Sequence, residues 1–351
     1  MRSTSSLRLL PSALLLCAAS SCLPLRYLRQ AAVGQAELRF GGESLEAAMV
    51  DPAIPARVRR VLREVPKIRA FGERMGLTPT GNYRRYVDLG RPAVVWVVSG
   101  CEELAFRSRG WWFPIVGEVP YLGFFDPEGA LELAHDLRKE GLDVDVRTAR
   151  AYSTLGWFED PLLSTMIPGD DTALGELANT FLHESTHATV YVANQTAFNE
   201  TVASWVGDHL APLWLTEARG VDGVETRAYL TAERDHAQRI AAMQRTHDAL
   251  AALYASALPK IEKHTRKATL IGSLKAELGL SPNRTINNAT LAELRNYHGD
   301  TAALDRLFVS CGKSWPATLA ALQRIEGDWF DKKGQSEFAP VLDRARCGGA
   351  G

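Results

Sequence analysis

The chain of 351 residues has the composition of an ordinary packed protein, with 46% hydrophobic and 23% charged residues. This length suits one large or two modest domains, and the composition excludes a disordered, collagenous or disulfide-knotted protein. The 40 basic and 41 acidic side chains give a net charge of -1, so no long-range field would gather nucleic acid, and no nucleic-acid partner is expected. None of the five cysteines forms a C-x-x-C pair, so a metal would need other ligands.

The first 21 residues have the layout of a secretory signal. Arg2 and Arg8 precede an apolar stretch over 9–19 that is too short to span a bilayer comfortably. Small residues then lead to Cys22, as at a lipoprotein signal-peptidase site, although Ala19 stands where that pattern prefers leucine. The sequence predicts a lipoprotein signal peptide over 1–21 and a lipid anchor on Cys22. An ordinary secretion signal with an incidental cysteine is the alternative.

Residues 22–351 are predicted to form a single α+β domain that is predominantly helical, with a small mixed β-sheet. Region 25–76 has apolar residues at helical spacing and is expected to form surface helices. Region 92–155 is expected to form the sheet, with a helix over 128–141. The strands are expected in three apolar or alternating runs, at 93–98, 121–125 and 143–147.

The rest of the chain reads as helix. A helix pair is expected over 171–211 and a C-terminal helical region over 212–345. Breaks are expected at Pro212, Pro259, Pro282 and Pro316, because proline removes a helical hydrogen bond. The histidines of the charged helical stretches are expected at the surface, namely His135, His236, His247, His264 and His298.

The chemistry is carried by His183-Glu184-Ser185-Thr186-His187, an H-E-x-x-H motif inside a helical pattern. Residues four apart on an α-helix differ by about 40° around the axis, so His183 and His187 can share one metal ion. Glu184 lies about 100° from His183, where it can hold a water beside the ion without ligating it. The motif predicts a catalytic zinc site on the helix pair over 171–211, with Ser185 and Thr186 facing away from the ion. A buried helix with two hydrogen-bonded histidines is the alternative.

A third protein ligand is expected on the next helix. The metzincin pattern needs glycine and histidine where Val190 and Ala193 stand, which excludes that class. Asn199-Glu200 instead gives the gluzincin arrangement, in which Glu200 is the third ligand. His209 is the competing ligand, but nine residues at about 100° each place it opposite Glu200 on a straight helix.

The geometry of this second helix supports Glu200. Ala203, Ser204 and Gly207 lie within about 60° of Glu200, so the face turned toward the histidine helix is small and permits close approach. Thr196 or Asn199 is expected to cap the start of the helix.

Several segments outside the H-E-x-x-H motif also match a known pattern of sequence. They are Cys22 with Tyr27, Gln30, Gly34 and Gln35, then Tyr83-Arg84-Arg85-Tyr86, Val94-Val95-Trp96, the stretch 113–117, the stretch 152–161, and Asn287-Asn288-Ala289. With these the chain resembles the family of predicted zinc aminopeptidases found as lipoproteins in Gram-negative bacteria. Two departures from the family pattern are Trp112 and Glu118, which stand where a cysteine pair is common, and the polar middle of the zinc motif.

The resemblance implies a zincin-like fold for the domain. It also implies a zinc peptidase with one Zn²⁺ per chain, held by His183, His187 and Glu200, and with Glu184 as the catalytic base. It implies a peptide substrate, and an envelope protein that faces the periplasm, anchored to the outer membrane more readily than to the inner. Hydrolysis of short peptides as an aminopeptidase is expected, with a non-catalytic scaffold or binding lipoprotein that keeps a structural zinc as the alternative.

Residues 152–161 are expected to face the substrate, as an edge strand and a turn over the cleft. Tyr152 is the candidate for stabilising the oxyanion, and Gly156, Trp157 and Asp160 are candidate substrate-binding residues. An aminopeptidase must also pair the substrate's ammonium group with an acid, for which Glu118, Glu159 and Asp160 are open candidates. Cys311 and Cys347 can pair in an oxidising compartment, which their spacing alone does not establish.

Overall fold

Helices make up most of the protein, and strands are few and short. The computed structural model describes residues 23–113, 117–151, 159–281, 283–292 and 301–348. In these ranges the α-helices are α1 (Leu23–Phe40), α2 (Leu45–Ala48), α3 (Ala56–Leu62), α4 (Val65–Arg74), α5 (Pro127–Lys139), α6 (Ala173–Thr189), α7 (Thr196–Arg219), α8 (Val224–Ala255), α9 (Lys260–Glu277), α10 (Asn288–Ala292), α11 (Ala302–Ser310), α12 (Trp315–Leu322) and α13 (Ala339–Arg344). The strands are β1 (Glu43–Ser44), β2 (Arg85–Val87), β3 (Val95–Glu102), β4 (Trp111–Phe113), β5 (Gly117–Val119), β6 (Tyr121–Phe124), β7 (Leu142–Ala149) and β8 (Leu162–Leu163). The predicted α+β class with a helical majority is confirmed.

The predicted sheet region contains an antiparallel sheet in the order β6-β3-β7. Strand β3 lies in the middle, and Val98 stands opposite Leu122 on one side and Val146 on the other. Helix α5 connects β6 to β7, and its buried residues Ala130, Leu133, Ala134 and Leu137 form an apolar cluster with this sheet. The three predicted strands and the helix between the last two are therefore present.

Two smaller sheets complete the strand content of the described residues. Strand β2 pairs antiparallel with β1 and parallel with β8, so this sheet is mixed. Strands β4 and β5 pair antiparallel. The parallel β2-β8 pair joins the Tyr83-to-Tyr86 segment to the residues that precede α6. It therefore brings two distant parts of the sequence together next to the histidine helix.

The main apolar core surrounds helices α4, α6 and α7. Ile68 and Phe71 of α4 are buried in the same cluster as Leu177 of α6 and Val202 and Val206 of α7. Burial of this kind stabilises a helix more than its intrinsic propensity does. Helices α6 and α7 are thus held rigidly from several sides.

Pro212 does not break the chain as predicted, because it lies inside α7, which continues to Arg219. Leu210, Ala211 and Leu215 are fully buried on both sides of the proline. A proline inside a helix removes one hydrogen bond. The packing of these residues offsets that loss, and the helix is not interrupted. The predicted breaks at Pro259 and Pro316 are confirmed, since α9 follows Pro259 and α12 begins one residue before Pro316.

The prediction that His247 lies on the surface is wrong. Its side chain is buried, and its ring stacks on Phe106 with 4.0 Å between the centroids. Helices α8 and α9 pack against each other with their own apolar cluster, and Phe106 packs against that cluster too. The loop that carries Phe106 therefore covers His247, although α8 is rich in charged residues.

Cys311 and Cys347 form a disulfide bond, and Cys101 is a buried free thiol. Among the described residues, no helix is both long enough and apolar enough to cross a membrane.

Candidate metal centre

Helices α6 and α7 form a hairpin whose connection is fixed by Asn199. Its side-chain amide donates to the carbonyl of Val192 at 2.8 Å, and its carbonyl oxygen accepts from the Val192 amide at 2.9 Å. The prediction that Thr196 or Asn199 caps this helix is wrong, because Gln195 stands at the cap position without a side-chain cap bond, Thr196 is the first helical residue, and the Asn199 side chain clamps the connection. Asn194 in the same connection adopts a left-handed φ of 63°, which asparagine tolerates well.

The two helices approach closely, as the small residues of α7 predict. A Cβ atom placed on Gly207 would lie 2.8 Å from the side-chain oxygen and 3.1 Å from the backbone oxygen of Asn179 on α6. Ala203 is fully buried on the same side. Glycine and alanine here permit a short separation between the helix axes, which brings Glu200 within reach of the histidines.

His183, His187 and Glu200 meet at one point between the helices. The two histidine Nε2 atoms are 3.2 Å apart. The carboxylate oxygens of Glu200 lie 3.5 Å from His183 Nε2 and 3.6 Å from His187 Nε2. Tetrahedral zinc with bonds of about 2.0–2.1 Å requires ligand atoms about 3.3 Å apart. The separation of the histidine nitrogens fits such an ion, and each nitrogen has one oxygen of Glu200 nearby, so the three residues could hold a metal ion and are compatible with zinc.

The electrostatics of the cluster are those of a partly buried ligand set. Burial alone would lower the pKa of His183, but the hydrogen bond to Glu200 and the nearby carboxylates raise it overall. Burial and the charge of His183 together lower the pKa of His187. Burial would raise the pKa of Glu200, and the hydrogen bond and charges of the two histidines outweigh it and lower that pKa. A carboxylate and neutral imidazoles are the forms that bind metal.

Ser185 and Thr186 turn away from the cluster, as predicted. Both are buried, and their hydroxyls donate to the carbonyls of Phe181 and Leu182 one turn earlier in α6. Glu184 follows His183 directly on the same helix and is half-buried. Backbone carbonyls therefore accept the hydrogen bonds of both hydroxyls in the middle of the motif. Glu184 is the acid that lies next to the candidate ligand His183.

His209 lies away from the cluster. Its Nδ1 is 2.7 Å from the carbonyl of Trp205, and its Nε2 is 4.0 Å from Asp305. The metal-compatible group of the described residues contains Glu200 and not His209. The helical geometry that favoured Glu200 over His209 is thus found in the structure.

Several predicted residues fall outside the described part of the chain, namely Cys22, Tyr152, Gly156, Trp157, Pro282 and His298. Asp160 is described and is buried, with 5% of its surface exposed. Its backbone amide donates to the side chain of Asn82, and its carbonyl accepts from the amide of Tyr83. Asp160 and Glu159 line a surface cavity together with three arginines, Arg39, Arg84 and Arg85.

Tyr83 is a residue near the site that the motif alone does not reveal. Its ring lies 5.2 Å from the ring of Phe181 on α6, measured between centroids. Burial, with the charges of Glu184 and Asp160, raises the pKa of Tyr83 well above its ordinary value. In the sequence, Tyr83 stands out only because the segment from Tyr83 to Tyr86 resembles a segment of a known family. Asn179 is a second such residue, since it bonds Asp208 and Tyr229 one turn before His183.

The fold and the site define a mainly helical α+β protein with a two-histidine, one-carboxylate cluster on a close helix hairpin and a further acid next to it. A family model described as "Putative aminopeptidase" matches residues 26–335. The match extends over most of the chain, and the protein belongs to this family. A search of curated proteins and a search of solved structures each gave no match.

Proposed function

We propose that the protein is a zinc-dependent peptidase of the gluzincin type. The observation that carries this proposal is the cluster of His183, His187 and Glu200, which could hold a metal ion, with Glu184 adjacent to His183 on the same helix. Three protein ligands leave one position open, which is typical of catalytic and not of structural zinc. The family membership supports peptide bonds as the substrate.

In this proposal each residue has a distinct part. His183, His187 and Glu200 hold the ion. Bound zinc supplies a Lewis acid that polarises the scissile carbonyl and lowers the pKa of water. Glu184 accepts a proton from the attacking water and later delivers it to the leaving amine. A scaffold that only kept a structural ion would have no use for this acid.

The family description leads us to propose aminopeptidase action on short peptides. The expected result is hydrolysis of peptides with a free α-amino group and at least about tenfold slower hydrolysis of the same peptides after N-terminal acetylation, because the ammonium group then loses its ionic partner. The measurement is a matched library of free and acetylated peptides, analysed by mass spectrometry. Equal cleavage of both sets would indicate an endopeptidase instead.

We further propose that the chain is tethered to the outer membrane of the bacterial cell envelope through Cys22 and faces the periplasm. Helix α1 starts at Leu23 and docks firmly on the sheet. Gln30 donates to the carbonyl of Gly123 and accepts from the amide of Phe125, and Gly34 leaves room for the Phe125 ring. An anchor on residue 22 would therefore hold the catalytic domain close to the lipid surface.

Metabolic labelling with a fatty acid tests the anchor. The wild type should incorporate label and partition with membranes, and Cys22→Ala should do neither, because several acyl chains on one residue give stable anchoring at about 0.8 kcal/mol per buried methylene. Cys101→Ala is the matched control and should label like the wild type. Label retained in Cys22→Ala, or absent from both, would contradict the anchor.

A further inference from the structure

Residues 330–338, which we call the C-terminal clamp, lie against the connection between α6 and α7. Gln195, the last residue before α7, reaches into this loop instead of capping the helix. Its Oε1 accepts from the amide of Gln335 at 3.1 Å, and its Nε2 donates to the carbonyl of Lys332 at 2.8 Å. Gln195 is only 3% exposed, so water cannot easily replace either partner if the side chain is removed.

Two further contacts join the clamp to the same connection. The amide of Gly334 donates to the carbonyl of Asn194 at 2.8 Å. The ring of Phe198, in the first turn of α7, packs edge-on against Phe330 and Phe338, with 5.4 and 5.5 Å between the ring centroids. All three rings are buried. The clamp therefore contacts the start of α7 through hydrogen bonds and through the apolar core.

The clamp is also held together internally. The side chain of Gln335 is buried, accepts from the amide of Asp331 at 2.8 Å and donates to the carbonyl of Glu337. Beyond the clamp, the disulfide bond ties Cys347 back to Cys311 at the end of α11. These bonds fix the shape of the loop, so it can act as a support for α7 and does not simply follow that helix.

Glu200 lies five residues after Gln195, on the helix that the clamp supports. Asn199 already fixes the connection from within, through its two bonds to Val192. Gln195 fixes the same connection to a part of the chain 140 residues later. Metal–ligand distances tolerate deviations of only about 0.2 Å. A small displacement of the first turn of α7 would therefore disturb the approach of the Glu200 carboxylate to the two histidines.

We propose that Gln195 is a positioning residue for the candidate metal ligand Glu200. By fastening the start of α7 to the clamp, it determines where the carboxylate stands relative to His183 and His187. This inference rests on the proposed function, since it concerns the ion that the function requires. The apolar faces of α6 and α7 still pack together without Gln195, so its loss should affect the affinity for zinc more than the folding of the hairpin.

The substitution Gln195→Met tests the inference, because methionine has nearly the same length and volume but makes neither hydrogen bond. We expect the zinc affinity to fall roughly 10-fold, the lower end of the loss that follows when a group orienting a metal ligand is removed. Gln335→Met should act in the same direction, since it loosens the clamp without changing the sequence of α7. Competition with a chelator of known affinity measures the dissociation constant for zinc.

Gln30→Met is the matched control. Gln30 makes the same pair of bonds on α1, donating to the carbonyl of Gly123 at 3.2 Å and accepting from the amide of Phe125 at 2.8 Å. Both Gln30→Met and Gln195→Met should lower the unfolding temperature of the metal-free protein, because each leaves backbone groups unpaired. Gln30→Met should nevertheless keep the zinc affinity of the wild type. A merely structural role for Gln195 would make the two variants alike.

A double-mutant cycle shows whether Gln195 acts through Glu200. In the Glu200→Ala background, Gln195→Met should change the zinc affinity less than about twofold, because the carboxylate that it positions is gone. Wild-type affinity in Gln195→Met and Gln335→Met, an equal loss in Gln30→Met, or an undiminished effect in the Glu200→Ala background would each overturn the inference and leave the proposed function intact. A wild type that binds no zinc would instead overturn the proposed function, and the inference with it.

Discussion

Alanine in place of His187 is expected to remove most of the zinc from the purified protein. Wild-type protein should carry close to one equivalent, because the two histidine Nε2 atoms are 3.2 Å apart and each has a carboxylate oxygen of Glu200 within 3.6 Å. Loss of a group that only hydrogen-bonds a metal ligand already costs roughly 10- to 100-fold in affinity. Loss of the ligand itself should cost more. Elemental analysis after dialysis, together with competition against a chelator of known affinity, measures both effects.

The same experiment resolves the third ligand. Glu200→Ala should also lose most of the ion, because its carboxylate lies within 3.6 Å of both histidine Nε2 atoms. His209→Ala is the matched control on the same helix and should retain the ion, since His209 bonds the Trp205 carbonyl instead. Retention of a full equivalent in Glu200→Ala would contradict the ligand set. Loss of the ion in His209→Ala would move the third ligand to that residue.

The cluster of His183, His187 and Glu200 was predictable from the sequence, because helix geometry determines most of the arrangement of the three side chains. Four-residue spacing places His183 and His187 on one face, and the small residues of α7 permit the approach of Glu200. Strand β3 was predictable for a similar reason, since a short β-branched run between turns is typical of a buried strand.

Features that depend on distant parts of the chain were not predictable. Pro212 stays inside a helix because its neighbours are buried in the main core, and His247 is buried because Phe106 covers it. The side chain of Asn199 bonds Val192 instead of capping its own helix. Local sequence predicts the tendency of a residue, and tertiary packing decided each of these three cases.

Tyr83 shows the same limit at the site itself. Its position depends on hydrogen bonds to Asp160, 77 residues later, and on the ring of Phe181, 98 residues later. No spacing rule connects Tyr83 to the H-E-x-x-H motif. Its position beside the histidine helix therefore depends on the parallel β2-β8 pair, which brings these segments together.

Glutamine in place of Glu184 is expected to reduce peptide hydrolysis by roughly two to four orders of magnitude, the usual contribution of general-base catalysis. Glutamine has nearly the same shape and can still hydrogen-bond, but it cannot accept the proton of the attacking water. The variant should fold normally and keep its zinc, because Glu184 is not among the three clustered ligands. Glu217→Gln is the matched control, since Glu217 forms an exposed ion pair with Arg74.

The most direct measurement is the kcat of wild type, Glu184→Gln and Glu217→Gln on one free peptide, with zinc content determined on the same samples. The account predicts equal zinc in all three proteins, equal kcat in wild type and Glu217→Gln, and a kcat lower by roughly 100- to 10,000-fold in Glu184→Gln. Equal hydrolysis by all three zinc-loaded proteins, or none by any of them, would contradict a zinc peptidase that uses Glu184 as its base.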